Sequence, residues 1–196
     1  MVIYFDTETS GLRPGQICQL SYVVEDKNSV RAENLFFKVD NVEYSAYLVH
    51  GLSADKLSKL SGGKTFADHI EKIEKDFSSA DLVVAHNYSF DSMFMRKEFE
   101  RLNKVFCVKK EFCSMKKATP ICAFKRNSGV GYKYPKLSEL CAHFGVDDEF
   151  VKIVCQKFFG GAEGFHDARF DTTALFLAVR NASKQCDEFS LVKESL

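Results

Sequence analysis

The sequence has no tryptophan, no net charge, no C-x-x-C pair and no long apolar run, and each absence removes a class of protein. Lysine and arginine number 27 against 27 aspartates and glutamates, and the sequence pI is near 6.9. A uniformly basic domain that coats nucleic acid is therefore excluded, whereas an enzyme whose acidic site is offset by basic patches fits. Seven cysteines without a C-x-x-C pair carry no zinc-ribbon or thioredoxin signature and no evident disulfide framework. They are expected to be buried thiols in a reducing cytoplasm. No stretch approaches the roughly 20 apolar residues of a membrane span. The opening MVIYFDTE lacks the basic and apolar regions of a secretory signal. A soluble, cytoplasmic chain without a membrane partner is the expectation. No internal repeat or low-complexity segment interrupts it.

What is present is a chain of 196 residues, 45 % hydrophobic and carrying 19 phenylalanines, enough for one well-packed domain. The pattern divides it into a domain over 1–184 and a polar C-terminal tail over 185–196. Val2–Phe5 is short, apolar and β-prone, as a central strand buried on both faces would be. A Gly- and Pro-bearing turn over 10–16 follows, then strand candidates at 17–25 and 34–39. Ile70, Ile73 and Phe77 recur at helical spacing and predict a helix over 66–78. DLVVAH at 81–86 predicts another buried strand, with a helix from Phe90 to Leu102. The segment 104–135 is mixed and ends in a basic loop, KRNSGVGYKYPK; a helix then carries Leu137, Leu140 and Cys141 on one side. The last helix runs from Asp167 to Ala182, with Ala174, Leu175 and Ala178 on its apolar face. Strands first and helices between the later strands point to an α/β fold with a mixed sheet.

Three short segments carry chemistry. Asp6 and Glu8 follow the first strand candidate, and two residues apart on extended chain they project from one face. Adjacent carboxylates repel unless a cation lies between them, and all-oxygen sites suit hard divalent ions. A bare D-x-E is nonetheless most often a pair of solvated acids. Asp91, in VVAHNYSFD, falls where a strand gives way to a helix with Ser89 as the expected N-cap. A carboxylate there also suits the helix dipole, which alone explains it. In HDARFD, His166 stands at or before a helix start and Asp171 one turn inside. Histidine can serve as a general base near neutral pH, though a lone histidine is more often structural.

Taken in order, these segments resemble the DEDDh family of 3′–5′ exonucleases, whose familiar member is the proofreading (epsilon) subunit of bacterial DNA polymerase III. Asp6-Thr-Glu8-Thr-x-Gly-Leu is similar to the first family motif, His86-Asn87-x-x-Phe90-Asp91 to the second, and His166 with Asp171 to the third. His50-Gly51-Leu52 and Lys136-Leu137 resemble two further family segments, so the likeness covers about residues 1–182. The long stretch over 147–165, which carries a Gly-Gly pair, departs from the minimal pattern.

The resemblance implies a ribonuclease-H-like fold, a mixed sheet of about five strands flanked by helices. It implies two Mg²⁺ or Mn²⁺ ions about 4 Å apart. Asp6, Glu8 and Asp171 would surround the first, and Asp6 would bridge to the second with Asp91 in support. His166 would take the proton of the attacking water, so activity should rise with pH through its titration. Backbone groups around Thr7 and Thr9 would meet the terminal nucleotide, and Leu12 and Phe90 would wedge or stack against terminal bases. His50 and Asn87 complete the expected substrate contacts. The basic loop over 125–136 would meet phosphates of the strand. The expected partner is a single-stranded or frayed 3′ end of DNA, with RNA as the alternative because sugar choice rests on 2′ contacts. A polymerase is a further expected partner, although a short tail favours a free-standing enzyme. A non-catalytic nucleic-acid-binding module is the reading from another class, and it would be expected to have lost a ligand.

Overall fold

A computed structural model describes residues 1–13, 15–162 and 164–196. Five strands form one sheet in the order β3-β2-β1-β4-β5. β1 (Val2–Thr9) lies at its centre, antiparallel to β2 (Ile17–Glu25) and parallel to β4 (Leu82–Ala85). β3 (Val30–Phe36) pairs antiparallel with β2, and the short β5 (Glu111–Cys113) pairs parallel with β4.

Two helices, α1 (Tyr44–His50) and α2 (Ala54–Leu60), follow β3, and Leu57 of α2 joins a small core of Cys18, Val39 and Leu52. A 3-10 turn at Phe66–His69 leads into α3 (Ile70–Ser79), and α3 and α4 (Tyr88–Arg101) cover one face. There Ile3, Phe5, Leu20 and Tyr22 meet Ile73, Phe77, Phe94 and Phe99. α5 (Ser114–Cys122), α6 (Leu137–His143), α7 (Asp148–Phe159) and α8 (Ala168–Gln185) lie towards the other face, where Val2, Tyr4 and Val23 pack with Leu140, Phe170 and Ala174.

Several boundaries differ from those predicted, each for a tertiary reason. The first strand does not stop at Phe5 but runs through Asp6 and Glu8 to Thr9, because β2 pairs with it throughout. The third strand lies at Val30–Phe36 rather than 34–39. A turn in which Asp26 accepts from the amides of Asn28 and Ser29 sets its register, and the polar VRAE is tolerated because β3 is an edge. The turn expected over 10–16 includes position 14, and the stretch over 147–165 includes position 163; both positions lie outside the described residues. The rest of that stretch is mostly α7, which buries Val151 and Cys155 and ends at Gly160 in the left-handed region. The final residues are not a polar tail. A 3-10 turn (Asp187–Phe189) and α9 (Ser190–Glu194) fold back and bury Phe189 and Val192 completely. Among the seven thiols Cys18, Cys141 and Cys155 are buried, but Cys107 is exposed and three are partly so. No helix among the described residues is long and apolar enough to cross a membrane.

Candidate active site

Side chains along β1 alternate between the two faces of the sheet. Val2 and Tyr4 turn towards α8, and Ile3 and Phe5 towards α4. Continuing the alternation sends Asp6 and Glu8 to the α8 side and Thr7 to the α4 side. The register of β1 on β2 then shifts between Glu8 and Thr9, an irregularity of the kind that re-aims side chains at strand ends.

On the α4 side the Thr7 amide donates to Asp91 Oδ1 at 3.2 Å and its hydroxyl to the same oxygen at 2.8 Å. Asp91 is buried in the first turn of α4. That helix does not start at a Ser89 cap. It begins at Tyr88, whose ring packs edge-on against Phe5, so Asn87 is the cap residue and Ser89 lies inside, its hydroxyl donating to Asn87 Oδ1. On the α8 side Asp167 caps the helix by accepting from the Arg169 amide. Asp171 follows one turn later, and its Oδ2 accepts from the His166 amide at 3.1 Å. His166 holds φ at 69°, the left-handed region that a non-glycine residue enters at a cost of about 1–3 kcal/mol. Its imidazole is exposed and lines one cleft of about 200 Å³ together with Asp6, Glu8, Asp91 and Asp171.

Each of Asp6, Glu8 and Asp171 offers an oxygen, and these oxygens lie within 4.8 Å of one another. Crowding of this kind is costly for anions. Burial, then Asp91, Asp171 and Glu8, hold the Asp6 carboxyl well above the usual carboxylate range. Burial, then Asp171, Asp167 and Asp91, push Glu8 up to about 9. Asp171 is pushed up to about 7 by burial, against the opposing amide of His166. Asp91 is likewise raised to about 7 by burial, with Thr7 opposing.

A divalent cation fits this donor set. Asp171 Oδ1 is buried and accepts from no donor among the described residues, and a buried carboxylate oxygen without a partner is rare unless an ion or water completes it. The donors are all oxygen, which selects hard ions such as Mg²⁺ and Mn²⁺. Asp91 stands beside the trio rather than within it, since Thr7 already engages its Oδ1.

The remaining sequence-predicted residues divide by what their polar atoms already do. Both Thr7 donors are committed to Asp91, so its amide is not free for a nucleotide. The Thr9 hydroxyl donates to the Gly11 carbonyl, and the Thr9 carbonyl meets His50 Nε2 at 3.1 Å. His50 Nδ1 accepts from the Leu52 amide, so its proton sits on Nε2, and burial holds the ring below its ordinary pKa. That geometry needs Gly51, which ends α1 with φ at 67°. Leu12 is 78 % exposed, and with Phe90, Thr9 and His50 it lines a second cavity of about 300 Å³ that shares Thr7, Glu8 and Phe90 with the first. Asn87 is exposed at the mouth of the first cavity.

Two features escaped the sequence reading. Ser45, Ala46 and Val49 of α1 form a wall of the second cavity. α1 buries no residue, so its sequence shows no amphipathic period that would have marked it as a helix. His86 is the other. Its Nε2 donates to the Pro135 carbonyl at 2.9 Å and its Nδ1 accepts from the Ser114 hydroxyl at 3.0 Å. Burial lowers its pKa to about 4, so the ring is neutral and serves as a tie between β4, α5 and the entry to α6. The HN dipeptide was legible, but its partners lie 28 and 49 residues away.

No protein-family model and no curated protein matches the chain. Solved structures do. The chain is similar to E. coli ExoI in two crystal structures of its ssDNA complex, one zinc-bound and one metal-free, each with a TM-score of 0.72. Identity is 16 % and 15 %, and the match covers 98 % of this chain but 42 % of the ExoI chains, so the chain spans about two fifths of their length. It is also similar to the nuclease domain of 3′hExo, a DEDDh family member bound to rAMP, with a TM-score of 0.59 and 13 % identity over 98 % of this chain and 90 % of that one. At these identities the likeness is one of fold, and the five-stranded mixed sheet flanked by helices is the ribonuclease-H-like architecture that the sequence resemblance implies.

Proposed function

We propose that the protein is a divalent-metal-dependent 3′–5′ exonuclease of the DEDDh type that releases mononucleotides from DNA. The observation that carries this reading is the convergence of Asp6, Glu8 and Asp171 oxygens within 4.8 Å, with Asp171 Oδ1 buried and unpartnered among the described residues. Asp6, Glu8 and Asp171 would hold the cation, and Asp91, steadied by Thr7, would support a second. Bound there, Mg²⁺ or Mn²⁺ would supply Lewis-acid stabilisation of charge on the phosphate and the departing 3′ oxygen.

The chain's own residues account for the other requirements. His166 takes the proton of the attacking water at its imidazole, which must be neutral for that task. Its amide fixes Asp171, and Asp171 in turn fixes the left-handed turn that presents the ring. The terminal nucleoside enters the cavity between Leu12, Val49 and Phe90, with His50 behind it, while Asn87 faces the adjoining cleft. Thr7 acts through Asp91 rather than by touching substrate. The catalytic unit is residues 1–184, braced by the helices over 187–194. A reducing cytoplasm suits its seven free thiols.

DNA is favoured because ExoI, in its ssDNA complex, gives the higher TM-score, and because the motifs resemble the polymerase-associated branch. That branch also makes a polymerase a proposed partner. RNA is the second reading, carried by the rAMP-bound 3′hExo domain, of which 90 % is matched. The test is degradation of matched single-stranded DNA and RNA labelled at the 3′ or the 5′ end, with and without Mg²⁺ or Mn²⁺. Metal-stimulated release of mononucleotides from the 3′ end is expected, faster on DNA. No metal-stimulated release from either polymer would leave a non-catalytic binding module in its place.

A further inference from the structure

The molecule has no net charge, yet its charge is unevenly placed. Between Lys104 and Lys136 the chain carries nine lysines and arginines and a single acid, Glu111. Three of the nine are engaged elsewhere: Lys104 with Glu74, Lys109 with Asp81 and Lys133 with Glu139. Lys116, Lys117, Lys125, Arg126 and Lys136 are exposed and make no ion pair among the described residues. The first two stand on the opening turn of α5. Lys125 and Arg126 belong to a hairpin in which Lys125 bridges Tyr132, the Lys133 amide donates to the Phe124 carbonyl at 2.8 Å, and the Arg126 amide donates to the Gly131 carbonyl at 3.2 Å, whereas Lys136 caps α6. The hairpin and the residues after it also show aromatic surface: Tyr132 is 44 % and Tyr134 55 % exposed.

Both elements are anchored at one end of the cleft. The Met115 amide donates to the His86 carbonyl, the Ser114 hydroxyl donates to the His86 ring, and that ring donates to the carbonyl of Pro135. His86, Asn87 and Leu137 line the carboxylate cleft and not the adjoining Leu12 cavity. If the terminal nucleoside occupies the Leu12 cavity, the scissile phosphate lies at the carboxylates, and the path past His86 and Asn87 is an exit for the rest of the strand. That exit opens onto the hairpin and the first turn of α5.

Resting on the exonuclease reading, we propose that Lys116, Lys117, Lys125 and Arg126, with Tyr132 and Tyr134, form a landing surface for single-stranded nucleic acid upstream of the 3′ end. The cations meet successive phosphates. The two tyrosines offer faces on which bases stack without regard to sequence. Because the acids of the cleft repel phosphate, such a surface is what lets a neutral protein hold a polyanion next to four carboxylates.

The test compares a dinucleotide, which reaches only the cleft, with a fluorescein-labelled 20-mer of deoxythymidine, which reaches the hairpin. Binding of the 20-mer is read by anisotropy in chelator over a salt series, and hydrolysis of both is read with Mn²⁺. Lys116→Ala/Lys117→Ala/Lys125→Ala/Arg126→Ala should lower the slope of log K against log salt by about 3, at about 0.7 per phosphate contact. It should raise KM for the 20-mer about tenfold or more and leave dinucleotide hydrolysis within about twofold. Lys125→Glu/Arg126→Glu should reproduce the KM effect on the 20-mer. Tyr132→Ala/Tyr134→Ala should weaken 20-mer binding about tenfold with the salt slope unchanged. An unchanged slope in the quadruple variant, or an equal loss on the dinucleotide, overturns the landing surface. So does a 20-bp blunt duplex that binds as tightly as the single strand and depends on the same four cations. Wild-type protein that binds the 20-mer with the expected slope yet hydrolyses neither substrate would overturn the nuclease reading and leave the surface standing.

Discussion

The two sides of the acidic cleft are built differently. On the α4 side, Asp91 is buried in a helix and receives two hydrogen bonds from Thr7, which is itself locked into the central strand of the sheet. On the α8 side, Asp171 receives one bond from the amide of an exposed histidine in a left-handed turn, and its other oxygen is buried and without a donor among the described residues. Asp91 thus has two donors on one oxygen, and Asp171 has a single donor and a buried oxygen left open. Asp171 belongs to the trio whose oxygens converge, and Asp91 stands beside it. A buried acceptor left open is expensive unless something completes it, and the proposed cation would do so.

That contrast can be broken by substitution. Asp171→Ala or Asp6→Ala should reduce metal-stimulated release of 3′ nucleotides to background with the fold retained, read by end-labelled assay and circular dichroism. Wild-type rates in either variant would remove the metal site. His166→Ala should cost roughly 10²- to 10⁴-fold in kcat, and a loss below tenfold would take the proton-acceptor role from His166. Thr7→Val keeps the shape and removes the hydroxyl donor. A hydrogen bond to a charged acceptor is worth about 1.5–3 kcal/mol, so a loss of about 10- to 100-fold is expected if Asp91 needs fixing. A Thr7→Val variant with full activity would show that the second bond, from the Thr7 amide, holds Asp91 unaided.

The smallest effect is on stability, and its sign is set by the raised carboxyl pKa values. Asp171 and Asp91 titrate near 7 and Glu8 near 9 in the folded protein, against about 4 unfolded. The folded state therefore holds protons that the unfolded state has released, and the metal-free protein loses stability as pH rises from about 4 to about 9. A cation that binds only the ionised folded site reverses this. Mn²⁺ should raise the thermal midpoint more at pH 8 than at pH 6. Asp6→Asn should raise the metal-free midpoint at pH 8, by about 2–4 °C for each kcal/mol recovered, and should abolish the Mn²⁺ response. A metal-free midpoint that increases from pH 6 to pH 8 would contradict the crowding described for the cleft.

The motifs were legible because each is local. D-x-E on extended chain, an aspartate one turn into a helix, and a histidine before a helix start are spacings of five residues or fewer, and the structure gathers their side chains in one cleft. The buried strands at 17–25 and 82–85 were also legible, the second as a continuous apolar run and the first as a β-prone segment between turns. α1 was not, because it buries nothing, and β5 was not, because three residues carry no period. The tail differs for a related reason: its polar composition hides Phe189 and Val192, whose burial depends on packing against α8, α5, Phe112 and Phe144.

By itself the sequence determined which residues face which side of the sheet. Alternation along β1 sends Asp6 and Glu8 one way and Thr7 the other whatever else the chain does, because a strand offers only two directions. Only the tertiary structure decided what waits on each side. Asp171 meets the acidic pair across 163 residues of chain, Asp91 meets Thr7 across 84, and His86 meets Pro135 across 49. No local spacing encodes such distances. Sheet order and helix packing set them, and with them which carboxylate oxygens find donors and which buried one, Asp171 Oδ1, finds none among the described residues.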